Sequence, residues 1–445
     1  MVSDAARDEA APDRRPRPSD ESGRGLDGAE AAAGPAARPA GAADGIRDWL
    51  LTEGVRLTMT ALVDGIGWRL RAAGMPLDRF TCSVRLLSAS VLAASIVWRP
   101  FEPMAFRRLD FEHRNRGDWD RSPFKVAHER GTWLDLDLSA TPLEAFDIVP
   151  ELKAQGLLGY LVVPTVFSDG SRNSLTFATR SATGFVDADR ALLVTILPAL
   201  SAALEIKTRE RTLNELLATY VGEGPAAKIV SGTTHRGEVT RIEAAISVAD
   251  LRGFTYLSTR MPPEATANFL NVYYDVVVPP IRERGGEVLK FIGDAVLAIF
   301  PVAEGGREAA CRKALAAAQA ALASPHDPVE FDGSAHAIRF GIALHVGEVV
   351  YGNVGSGDRL DFTVVGRDVN VAARISSLCS DLGRPFLVSR PFADGVSSPG
   401  FAFETAGSHR VRGLEEPLEV LVPRFGPLGG AGAERDGVSV GPTLL

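Results

Sequence analysis

The spacing of apolar positions along the chain changes several times, and each change marks an element. Residues 1–44 hold almost no large apolar side chain and are rich in Ala, Gly, Pro, Arg and Asp, so they are expected to form a disordered tail. Helical spacing begins at Ile46 and runs to about Ala73. An apolar run over residues 82–98 follows; it is long for one strand, and its periodicity alone does not settle its type. Residues 158–167 and 174–180 are two apolar runs joined by Ser168-Asp169-Gly170-Ser171, which predicts a β-hairpin. From Asp187 a helix is predicted, with Leu192, Leu193, Ile196, Leu197, Leu200 and Leu204 on its apolar face. Ile206, Leu213 and Tyr220 then fall seven apart, with Leu217 between them, which suits a parallel helix pair or one amphipathic helix lying on its own domain. Gly222 and Gly224 end this helix, and Pro225 follows.

In the second half, residues 244–249 read as a short strand ending at Asp250, and a helix with Pro262 and Pro263 near its start comes next. Gly285-Gly286 is a turn, residues 287–292 a strand, Gly293-Asp294 a tight turn and residues 295–300 the returning strand. A further helix is expected to start around Asp368. The chain therefore divides into a tail (1–44), an α/β domain (45–205), a helical linker (206–240), a second domain (241–424) and a Gly-rich flexible tail (425–445).

Composition narrows the function. The 445 residues carry a net charge of −8, which argues against a nucleic-acid binder needing a basic face. Cys82, Cys311 and Cys379 are far apart and odd in number, as expected of reduced thiols in a cytoplasmic protein. The apolar stretches 86–98 and 191–204 fall short of a membrane span, and the N-terminus has no secretory pattern.

Three segments of the second domain carry chemistry. A carboxylate at a strand end, followed by Leu251-Arg252-Gly253-Phe254-Thr255 and a helix, can hold a metal beside backbone N–H groups that suit phosphate. Taken alone, Asp250 is more often a turn former or helix cap. In a βαββαβ order the first and third strands are antiparallel neighbours, which brings Asp250 to Asp294. Two such carboxylates repel unless a cation lies between them, and hard oxygen ligands with spare positions suit Mg²⁺ or Mn²⁺. The bland alternative for Asp294 is a hairpin-turn residue without a ligand. In the third segment Asn370 and Arg374 are i and i+4 on one helix face, able to orient a sugar and neutralise a phosphorus centre, or to form a merely solvated face. His345 lies in a run that reads as a core strand, and no Ser/His/Asp triad, phosphate-binding glycine loop or zinc spacing competes.

Jointly and in this order, the three segments resemble the signature of class III adenylyl and guanylyl cyclases over residues 243–422. The resemblance implies a ferredoxin-like βαββαβ core that works as a head-to-tail homodimer. It implies that Asp250 and Asp294, with the Leu251 carbonyl, bind two divalent cations, and that the backbone at Gly253, Phe254 and Thr255 cradles the terminal phosphates. Asn370 and Arg374 would come from the other subunit, and Arg412 aligns with a phosphate-contacting basic residue that is more often Lys in the family. The hairpin and the run Gly184-Phe185-Val186-Asp187-Ala188-Asp189 resemble a GAF-type sensor domain, which names no ligand; a structural or dimerising domain is the alternative.

Family members choose their base at two positions, here Lys290 and Thr363. An ammonium only donates and suits adenine N1, and a hydroxyl can accept from the N6 amino group. The resemblance thus implies an adenylate cyclase that turns ATP into cyclic AMP and pyrophosphate, with a guanylate cyclase or a catalytically silent nucleotide-binding regulator as alternatives. Lys290 as a surface lysine and Thr363 as a β-branched filler would be the plainer reading.

Overall fold

The computed structural model describes residues 39–88, 91–110, 119–303, 305–396 and 401–425. The expected tails lie outside the described residues but for positions 39–44 and Phe425.

The N-terminal unit comprises α1 (Ala42–Thr52), a 3-10 turn (Gly54–Arg56), α2 (Met59–Ala72), β1 (Arg79–Arg85), β2 (Val91–Trp98), β3 (Ala105–Asp110), α3 (Pro123–Arg130), β4 (Leu134–Asp137), α4 (Val149–Ala154), β5 (Gly159–Val166) and β6 (Arg172–Thr179). It closes with α5 (Asp187–Val221). The apolar run 82–98 resolves into two antiparallel strands, in register from Phe80 opposite Trp98 to Arg85 opposite Ala93. The expected hairpin is β5–β6, with Gly170 at positive φ in its turn. The six strands lie in the order β3-β2-β1-β6-β5-β4. Alternate residues of β1, Phe80, Cys82 and Val84, enter one core with α1, α2 and the first half of α5, as the two-residue period of a strand requires.

Helix α5 runs unbroken through positions 205 and 206, where a domain boundary was expected. Its first half buries Leu192, Leu193, Ile196, Leu200 and Leu204; farther along, Ile206, Leu213 and Tyr220 are exposed. By length and composition α5 could cross a membrane, and half of its apolar window is buried inside the protein.

The second unit follows α6 (Glu223–Val230). It comprises β7 (Val239–Leu251), α7 (Phe254–Ser258), α8 (Pro263–Glu283), β8 (Glu287–Ile292), β9 (Ala295–Pro301), α9 (Gly306–Ala323), the small pair β10 (Val329–Phe331) and β11 (Ser334–His336), and β12 (Phe340–Gly355). Then come β13 (Leu360–Val365), α10 (Arg367–Asp381), β14 (Phe386–Ser389), α11 (Arg390–Asp394), β15 (Phe401–His409) and β16 (Leu418–Phe425). The sheet order is β15-β16-β14-β12-β7-β9-β8, with β13 added on β12. The protein is thus a mixed α+β chain.

The central strand β7 sorts the layers. Ala245, Ala249 and Leu251 face α8 and α9. Ala244, Ile246 and Val248 face Leu289, Phe362, Val364 and Ala372 of the opposite layer. The strand is longer than the expected residues 244–249 because its first residues pair with the far end of β12, Val239 opposite Gly352.

Candidate active site

Strand register assembles the acidic pair. Strands β7 and β9 are antiparallel with Ala249 opposite Val296, so Asp250 comes level with the residue after Asp294. The two carboxyls are close enough to hydrogen-bond. Burial, and then the Asp294 carboxylate beside it, pushes the Asp250 carboxyl up to about 6. Gly293 adopts positive φ in the turn before Asp294, which a side chain there would strain. The Tyr274 hydroxyl donates to the Gly293 carbonyl at 2.7 Å, tying that turn to α8.

After Asp250 the chain leaves the sheet through Gly253, which has φ 68°, and enters α7. Residues 253–255 lie at the surface, with Gly253 and Thr255 exposed and Phe254 half-buried. Arg252 is held across the sheet end: its guanidinium bonds the Ser380 hydroxyl and, at 3.0 Å, the Arg384 carbonyl. It passes over Gly341, where a Cβ would stand 2.0 Å from its Nη2. That close approach explains a glycine opposite Asp250 in the β12 register.

Lys290 and Thr363 lie on neighbouring elements, β8 and β13. Lys290 forms an ion pair with Asp361, two residues before Thr363 and on the same strand face. Thr363 is buried. Asp361 was not singled out from the sequence; its signal there was the two-residue spacing to Thr363.

Helix α10 buries Val371, Ile375, Leu378 and Cys379 and leaves Asn370 and Arg374 exposed on one face. Among the described residues neither side chain has an intrachain partner. The Asp250 carboxylate is felt at Cys379, near the C-terminal end of α10. Asn370 is nine residues up the helix, roughly 13 Å along its axis at 1.5 Å per residue. The first turn of α10, with Asp368 and then Asn370, is fastened to Glu348 of β12, opposite Glu243 of β7, while Ser380 at its other end meets Arg252, so Asn370 sits toward the end of α10 away from the Asp250 end of β7. Arg412 is exposed in the turn between β15 and β16, where its neighbours Val411 and Leu414 pack against a cluster that includes Leu378 and Cys379 of α10.

His345, buried on β12, places Nδ1 2.7 Å from the Ser389 hydroxyl and Nε2 3.5 Å from Asp368. Asp368 also accepts the Glu348 N–H at 2.8 Å, fastening the first turn of α10 to β12.

Residues 240–422 match the family described as "Adenylate and Guanylate cyclase catalytic domain". The chain carries a class III cyclase catalytic domain. An uncharacterized Mycobacterium tuberculosis protein is 32% identical over 219 residues, 49% of this chain and 39% of that protein. An adenylate cyclase of Anabaena cylindrica is 32% identical over 239 residues, 51% of this chain and 47% of that protein. This chain thus spans less than half the length of either relative. Among solved structures, the adenylyl cyclase CyaB from P. aeruginosa is 25% identical, covering 43% of this chain and 100% of that one at a TM-score of 0.35. Class III cyclases generally depend on divalent metal. The cyclase domain fits that requirement: among the described residues no group of three or more His, Cys, Asp or Glu is found, but two hard carboxylates meet at a strand end. Mg²⁺ is commonly held by one or two carboxylates together with substrate phosphates.

Proposed function

We propose that the cyclase domain converts ATP to 3′,5′-cyclic AMP and pyrophosphate. The meeting of Asp250 and Asp294 carries this reading: a half-buried carboxyl pushed up by burial and by its neighbour is a site in want of positive charge. Two divalent cations bound there would activate the ribose 3′-hydroxyl and neutralise the triphosphate. Around them the chain's own groups bind and orient. The backbone N–H groups of Gly253, Phe254 and Thr255 face the terminal phosphates, and the Leu251 carbonyl completes the acidic pair. Lys290 donates to adenine N1, and Thr363 accepts from the N6 amino group. The 3′-oxygen attacks the α-phosphorus, its proton passes to solvent water, and the bond from phosphorus to the pyrophosphate oxygen breaks, releasing pyrophosphate.

A second copy supplies the rest. Asn370 orients the ribose, Arg374 neutralises the α-phosphorus, and Arg412 contacts the terminal phosphates from across a homodimer interface. The exposure of Asn370 and Arg374, neither with an intrachain partner among the described residues, supports this, as do Ile206, Leu213 and Tyr220, exposed at heptad spacing on α5. The order β12-β7-β9-β8 supports a ferredoxin-like core, and the six-stranded antiparallel sheet of the N-terminal unit supports a GAF-like fold; as a cytoplasmic sensor that unit would regulate the dimer.

The test is cyclic-nucleotide formation by the purified chain, offered ATP and GTP separately in Mg²⁺ and in Mn²⁺. ATP turnover is expected to exceed GTP turnover, and Lys290→Glu with Thr363→Cys is expected to lower the ATP rate at least ~100-fold, the scale of mismatched buried polar groups. Unchanged ATP turnover in that double variant overturns the base assignment. Equal absence of both products overturns the enzymatic reading.

A further inference from the structure

The central strands β1 and β6 of the N-terminal sheet are buried on both faces, and the faces differ in kind. Phe80, Cys82 and Val84 of β1 enter the apolar core. The alternate residues Arg79, Thr81 and Ser83 are buried too, at 3%, 6% and 9% exposure. In register they lie opposite Ala178, Thr176 and Ser174 of β6, and Ser83 opposite Ser95 of β2. This side also carries an apolar cluster with Val149, Leu152, Val162 and Ala178, so each polar group buried beside it needs a partner.

Most have one. The hydroxyls of Ser83 and Ser95 bond each other at 2.8 Å, and His128 bonds Ser174 at 3.1 Å. The Tyr160 hydroxyl bonds Thr176. Arg79 and Thr81 are the exceptions. Nη2 of Arg79 is 3.3 Å from Glu151, but its Nε and Nη1, and Oγ1 of Thr81, have no partner among the described residues. Glu151 is already engaged, for the same oxygen takes Arg107 at 2.6 Å and Gln155 at 3.1 Å.

The local charge has the same sense. Arg99 and Arg107 are near enough to oppose the charge on Arg79, and Nε of Arg99 is likewise without a partner. Facing these three guanidiniums are Glu151 and Glu102, the latter 3.2 Å from Arg99. Among the described residues one positive charge is left over, next to buried donors that lack acceptors. A guanidinium held only as half of a structural ion pair would have its remaining N–H groups on carbonyls or hydroxyls.

We infer that this sheet face is a binding site for a small molecule bearing an oxyanion, a carboxylate or a phosphate, received by Arg79 and Thr81. A guanidinium pairs with either group, and the Thr81 hydroxyl adds a donor beside it. The inference stands apart from the cyclase reading, since its residues belong to a different sheet and its test reads binding instead of turnover.

The full chain, in a buffer free of phosphate and carboxylates, is titrated with inorganic phosphate and, separately, with acetate while its melting temperature is followed. Sodium chloride at matched ionic strength is the control. At least one anion is expected to raise the melting temperature saturably beyond the chloride control, and the arm that responds names the chemistry. Arg79→Met should abolish the response without lowering the anion-free melting temperature, because unsatisfied buried donors are removed. Thr81→Val, which keeps the shape and removes the hydroxyl, should weaken the apparent Kd at least tenfold; should Arg79→Met fail to fold, Thr81→Val decides alone. No saturable response to either anion in the unaltered chain overturns the inference, and so does a response of the same size and midpoint in Thr81→Val.

Discussion

The phenolic hydroxyl of Tyr274 reaches the carbonyl of Gly293 at 2.7 Å, so that a residue of α8 holds the turn whose next residue is Asp294. Its ring also packs on Phe291, with centroids 4.3 Å apart. Removing the hydroxyl while keeping the ring loosens Asp294 without emptying the packing. Tyr274→Phe should therefore lower kcat/KM about 5-fold, the equivalent of one net hydrogen bond of ~1 kcal/mol. Steady-state kinetics alongside a melting curve checks this; a normal kcat/KM would mean that the turn keeps its shape unaided.

Metal-free stability and metal binding should part company at Asp250. Its carboxylate is disfavoured by burial and by Asp294. Asp250→Asn removes that repulsion, so the metal-free variant should melt about a few degrees above the unaltered chain. Adding Mn²⁺ should then raise the melting temperature of the unaltered chain and leave the variant where it was. A variant that melts lower without metal would show that the carboxylate serves the fold.

Sites shared between two copies allow complementation. Asp250→Asn and Arg374→Ala should each be inactive as pure homodimers. Mixed after co-expression, heterodimers carry one site with both lesions and one with neither, so about a quarter of full activity should return for random pairing. No recovery in a mixture shown to contain heterodimers would place the arginine and the carboxylate in the same subunit's site.

The attachment of α10 has a pH signature. His345 holds the Asp368 carboxyl below its ordinary value, helped by the Glu348 N–H, while burial opposes them. A depressed folded value means that the stabilisation is complete above the unfolded carboxylate range, about 4, and is lost as the pH falls through the folded value. Asp368→Asn should accordingly cost ~1–3 kcal/mol at pH 7 by leaving buried groups unpaired. The gap from the unaltered chain should narrow steadily below about pH 4. Denaturant melts at pH 7, 5 and 3.5 measure it, and a gap independent of pH would exclude the carboxylate as its origin.

Much of the second domain could be read from the chain because its signals are local. Gly293-Asp294 between apolar runs is a turn whatever surrounds it, and Asn370 and Arg374 share a face once their helix is granted. The convergence of Asp250 and Asp294 needed just one topological assumption, that the first and third strands are neighbours, and the β7–β9 register supplies it. What stayed hidden depends on residues far apart in sequence. Nothing near Arg252 announces Ser380 or Arg384, and nothing near Tyr274 announces Gly293. The run 82–98 was ambiguous because β1 lies inside a sheet covered on both faces, which blurs the alternation that marks a half-exposed strand. Arg79 and Thr81 were passed over for the same reason: burial of a polar face becomes visible once the covering helices α3 and α4 are in place.

The continuity of α5 bears on how this protein can be dissected. One rod of 35 residues begins among the leucines of the first core and ends at Gly222, where φ is 94° and the backbone first swings out of helical geometry. Scissors placed at residue 205 would leave the N-terminal unit without the rest of its closing helix and the cyclase domain with a severed stump, Ile206 and Leu213 on it, so a silent fragment would report damage and say nothing of regulation. The natural seam is the glycine.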